Sequence, residues 1–116
     1  MTALKYFSDA KISDDAWVYG SAWVYGDATV RGHAEVYGKA KVSGDAKVYD
    51  DAKVYGEAKV SDNARVYDNA KVYGKAKVYG NAKVFGDAEV FGHVKIYGDA
   101  EICGNVRVCV DVEDLI

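Results

Sequence analysis

The sequence contains no proline, one methionine, three phenylalanines and two cysteines in 116 residues. Each scarcity excludes something. With so few large apolar side chains, an ordinary core of interlocking bulky residues cannot be built. Two cysteines make no disulfide framework, which points to a reduced, cytoplasmic compartment. Charges recur every few residues, so no apolar run can cross a membrane. The start, "MTALKYFSDAKIS", lacks a basic segment followed by an apolar one, so no secretory signal is expected. A surplus of cations is missing too. Fifteen basic residues face 18 acidic ones, for a net charge of -3. A general nucleic-acid binder would be more basic, so neither nucleic acid nor membrane is expected as a partner.

What is abundant is alanine, valine and tyrosine, and they recur on a six-residue period. Alanine occupies 15 of the 18 positions from 10 to 112 in steps of six, the exceptions being Val94, Val106 and Val112. Two residues further on, positions 12 to 108 hold 14 valines and three isoleucines, Ile12, Ile96 and Ile102. Residues two apart face the same side of an extended strand. Each unit therefore reads as a short strand with a small and a medium apolar residue facing inward. A helix fits poorly, because a period of six drifts around a 3.6-residue turn. The sixth position holds glycine, or aspartate at 14, 50, 62 and 68. Both tolerate positive φ better than other residues. The position after it is mostly Asp or Asn, which favour turns.

A strand and a turn every six residues is the signature of a parallel β-helix. On "AKVYGDAKVYG" and its copies, over roughly positions 9 to 109, the chain resembles the left-handed β-helix, or hexapeptide-repeat, proteins. It also looks similar to the simple hexapeptide-repeat arrays of bacteria and their phages. The resemblance implies an all-β, single-stranded left-handed parallel β-helix, a triangular solenoid of about six coils. It implies three six-residue units per coil, 18 residues in all. The left hand comes from the resemblance, since periodicity does not fix handedness. One domain covers 1–116. Within it, 1–8 is expected as an N-terminal cap, 9–109 as the array and 110–116 as a C-terminal cap, because open solenoid ends expose strand edges.

An 18-residue coil stacks residues 18 apart into outward columns, and these columns differ. The first face carries Trp17 and Tyr19, then Tyr37, Tyr55, Tyr73 and Phe91, ending at Cys109. The second carries Ser13, Arg31, Tyr49, Tyr67, Phe85 and Cys103, and the third Tyr25, Ser43, Ser61, Tyr79 and Tyr97. Stacked aromatics suit a sheet for structural reasons alone. An unbroken aromatic column also suits a contact surface, because exposed apolar patches and tyrosines mark interfaces. Trp17, Tyr19, Tyr37, Tyr55, Tyr73 and Phe91 are thus the candidate interface, with another copy of the chain as partner in a dimer or trimer. The third face also holds a lysine column, Lys41, Lys59, Lys77 and Lys95, a candidate anion contact. The Asp and Asn corner columns read as turn caps and not as a calcium site, for which the pattern is wrong.

Many hexapeptide-repeat proteins are acyltransferases, and some resemble zinc-dependent carbonic anhydrases. The resemblance makes His33 and His93 the weak catalytic candidates, either one able to act as a base. They lie on different corners, about 15 Å apart along the axis by the layer spacing. A zinc site needs three or four ligands, so no metal and no cofactor is expected. This chain has none of the loop insertions that shape the pocket in the family's enzymes. Cys103 and Cys109 fall on adjacent faces and read as reduced surface thiols, with an interchain link as the alternative. The expected function is therefore a non-catalytic scaffold or binding module that self-associates through its aromatic face. The rivals are an acyl-CoA-dependent acyltransferase and an inhibitor or adaptor that docks a larger protein.

Overall fold

In the computed structural model, which describes residues 10–109, the period of six becomes one two-residue strand per unit, from β1 (Lys11–Ile12) to β17 (Arg107–Val108). All pairing is parallel, and partners lie 18 residues apart: Lys53 pairs with Lys71 and Val54 with Val72. Three sheets result. Six strands starting at Trp17, Glu35, Lys53, Lys71, Glu89 and Arg107 form one, called here the aromatic face. Six starting at Lys11, Thr29, Lys47, Arg65, Lys83 and Glu101 form the second face. Five starting at Trp23, Lys41, Lys59, Lys77 and Lys95 form the lysine face. The 17 strands, at three per turn, make five full turns and two further strands, close to the six coils expected. The all-β triangular solenoid is therefore shown. The caps expected at 1–8 and 110–116 fall outside the described residues.

The core is two residues deep per unit. Every valine and alanine of the repeat from Val18 to Val90 is fully buried, and no polar side chain is buried among the described residues. Burying a valine contributes about 1.5–3 kcal/mol. Alanine beside it keeps the walls close, so each layer fills without long side chains. Backbone hydrogen bonds tie the layers together. In one unit, Lys53 N donates to Ala70 O (3.0 Å), Tyr55 N to Val72 O (2.9 Å) and Glu57 N to Gly74 O (2.7 Å). Within the turn, Ala58 N reaches Tyr55 O at 3.4 Å.

The corners depend on the left-handed backbone region. All twelve glycines have positive φ, and so do Asp14, Asp50, Asp62 and Asp68, at 58 to 60°. At Gly74 a Cβ would stand 2.8 Å from the backbone N of Gly92, so a side chain there meets both strain and a collision. The four aspartates turn that approach into a bond. Their Oδ2 atoms accept from the backbone N of the equivalent residue one coil on: Gly32, Asp68, Gly80 and Gly86, at 3.1 to 3.4 Å. These caps sit in the glycine position. The Asp and Asn columns one residue later were expected to do the capping. Those columns show contacts between side chains of neighbouring coils, Asn81 Nδ2 donating to Asp99 Oδ1 at 3.3 Å and His33 Nδ1 lying 3.6 Å from Asp15 Oδ2.

Candidate binding faces

Because register fixes residues 18 apart in one column, each tyrosine lies directly over the next. Tyr19, Tyr37, Tyr55 and Tyr73 stack with centroids 4.9 Å apart and planes within 5°. Phe91 continues the stack at 5.2 Å, and Trp17 meets Tyr19 edge-on at 6.2 Å. The interface candidates named above therefore form one physical unit. Stacking covers the ring faces and leaves the rings half-buried, so the column presents ring edges and phenol tips. A shorter stack, Tyr49, Tyr67 and Phe85, runs along the second face, and Tyr79 stacks on Tyr97 on the lysine face.

Beside the aromatic stack runs a column of mixed charge: Glu35, Lys53, Lys71, Glu89 and Arg107. The phenols of Tyr19 and Tyr73 donate to Glu35 Oε1 (3.3 Å) and Glu89 Oε1 (3.0 Å), and Arg107 lies 3.7 Å from Glu89. Burial in the stack, above all, raises the pKa of Tyr19, Tyr37, Tyr55 and Tyr73 above 10.0. Glu35 adds to the rise at Tyr19, and Glu89 adds to it at Tyr73 and Tyr55. On the second face, the Arg31 guanidinium sits 4.4 Å from the Tyr49 ring centre.

The most exposed large apolar residues lie toward the two ends of the described array. Trp17 (47%), Trp23 (40%) and Tyr25 (37%) lie in the first described coils, and Val106 (42%) lies near the other end. Spacing along the sequence gives every ring of the column equal weight, whereas in the fold the stacked rings bury one another.

His33 and His93 are exposed and stand on different corners, so they are not brought together. His33 Nδ1 lies 3.6 Å from Asp15 Oδ2. A shallow groove of about 510 Å³ passes His33 and follows Glu35, Asp51, Lys53, Lys71 and Glu89 along the coils. It tracks the repeat as an open channel. Among the described residues, no group of three or more His, Cys, Asp or Glu side chains is placed to hold a metal ion. Cys103 and Cys109 are free and exposed. Lys41, Lys59, Lys77 and Lys95 form the expected column, paired strand to strand and pointing outward. No helix of the described residues is long and apolar enough to cross a membrane.

Two stretches, residues 10–26 and 58–74, match the family model described as YdcK beta solenoid repeat. Neither a curated protein nor a solved structure matches the chain. With the three parallel sheets, the match identifies a β-solenoid repeat protein.

Proposed function

We propose that the chain is a non-catalytic scaffold, a stiff β-solenoid that pairs with a second copy of itself through the aromatic face. The unbroken stack from Tyr19 to Phe91 carries this reading. Its rings are already ordered by one another. Binding across them therefore costs less side-chain entropy than binding through free side chains. The neighbouring column holds both signs of charge, so a partner's polar groups find complements. Tyrosine edges with phenol tips are a common interface chemistry. An acyltransferase would use His33 or His93, and no observation here favours that over a corner role.

Replacing Tyr37, Tyr55 and Tyr73 together by serine tests the reading. Light scattering is expected to show a lower mass for the variant than for the native chain. Equal masses overturn the proposal.

A further inference from the structure

The aromatic face is bounded by two edges of opposite charge, and this bears on how a partner lies against it. One edge precedes each of its strands. It carries Asp14, Asp15, Asp50, Asp51, Asp68 and Asp87, all exposed. The other follows each strand, where the chain turns onto the lysine face. It carries Lys39 and Lys75 at the corner and, two residues beyond that corner, the column Lys41, Lys59, Lys77 and Lys95. Glu57 is the acidic exception on that edge, and His33, with Arg31 two residues before it, is the exception on the other. The sides of the face thus differ in sign most clearly over its later coils, Asp68 against Lys75 and Lys77 and Asp87 against Lys95.

A second copy can lie face to face in two symmetric ways. If it is turned end for end, each edge meets its own counterpart, aspartates along aspartates and lysines along lysines. If both rods run in the same direction, the acidic edge of each runs along the basic edge of the other, on both sides of the contact. In a two-fold parallel pair equal layers meet, so Asp68 comes opposite Lys75 and Lys77 and Asp87 opposite Lys95, while Asp50 and Asp51 meet Glu57 as well as Lys59. Like charges brought together along an interface oppose binding, and opposite charges fix its register. The phenol tips favour the same arrangement. In the parallel pair the aromatic column faces the partner's charged column, and within one chain Tyr19 and Tyr73 already donate to glutamates of that column.

Resting on the self-association proposed above, we infer that the two copies pair in parallel, with the acidic edge of each along the basic edge of the other. The partner is a second copy of this chain.

Cys109 provides a built-in reporter, because it is exposed and stands at the end of the aromatic column. In a Cys103→Ser protein, the two Cys109 thiols of a parallel dimer lie at the same end. A short bis-maleimide then joins them, and a covalent dimer is expected on a denaturing gel. In an end-for-end dimer they stand at opposite ends of a six-stranded sheet, about 24 Å apart, beyond such a linker. Salt gives a second readout. Rising ionic strength weakens a parallel dimer by screening attraction and strengthens an end-for-end dimer by screening repulsion. A light-scattering dimer that does not cross-link and tightens with salt overturns the parallel arrangement alone. A monomer by mass overturns the self-association beneath it, and leaves the face to a different protein or to none.

Discussion

Asp62 shows at a single residue how the repeat tolerates variation. Its backbone holds φ at 58°, and its carboxylate caps the backbone N of Gly80 at 3.1 Å. Asp62→Asn keeps an acceptor and a residue that accepts the left-handed region. Asp62→Ala loses the cap and keeps the strain, and is expected to cost about 1–2 kcal/mol in chemical denaturation. Gly74→Ala is expected to cost at least as much, because strain there adds to the 2.8 Å approach to Gly92. Equal stability of Asn and Ala at position 62 would contradict the capping account. That aspartate suits this position was legible in the sequence. That it serves the next coil was not, since the acceptor and donor are 18 residues apart. The tyrosines give a pH prediction. Their folded pKa values are raised above 10.0, mainly by burial. The neutral phenol is thus favoured by the fold. This contribution is full below pH 10 and is lost as pH rises through the folded values. Tyrosinate absorbance should therefore appear later in the folded protein than in denaturant, and Glu89→Gln should bring Tyr73 down only partway.

At the scale of one strand and turn, the two inward positions do different work. Valine supplies buried area, and alanine sets how close the walls stand. Ala58→Leu should overpack a fully buried site and cost about 1–3 kcal/mol, and a melt of the variant measures it. No loss would mean that the interior is looser than described. The stacks add a second term between units. Removing Tyr55 breaks contacts with Tyr37 and Tyr73 together, worth roughly 0.5–1.5 kcal/mol per pair. Strands and columns were readable from Ala52, Val54 and Tyr55 because the period is strict. The ring orientation was not readable. Spacing alone does not say whether Tyr37 and Tyr55 lie flat together or splay apart. Only the register and the common side-chain direction decide that.

Across the whole molecule, the array stacks its layers about 4.8 Å apart, about 24 Å from the first to the last strand of each six-stranded sheet. Contacts run from coil to neighbouring coil, so stability is close to a sum over adjacent layers. A stiff rod with unlike faces suits recognition along its length. The fold was nearly all legible because one rule is repeated. The candidate interface was legible only as a column of letters, since its exposed area depends on how the rings cover one another. Two triple variants measured side by side separate stacking that stabilises the coil from stacking that makes a contact. One replaces Tyr37, Tyr55 and Tyr73 by serine. The other replaces Tyr49, Tyr67 and Phe85, the stack on the second face. Both lose ring contacts within the fold. By light scattering, the first is expected at the 12.6 kDa of a single chain, with the second keeping the native multiple. A native protein already at 12.6 kDa, or equal masses for the two variants, would contradict pairing through the aromatic face.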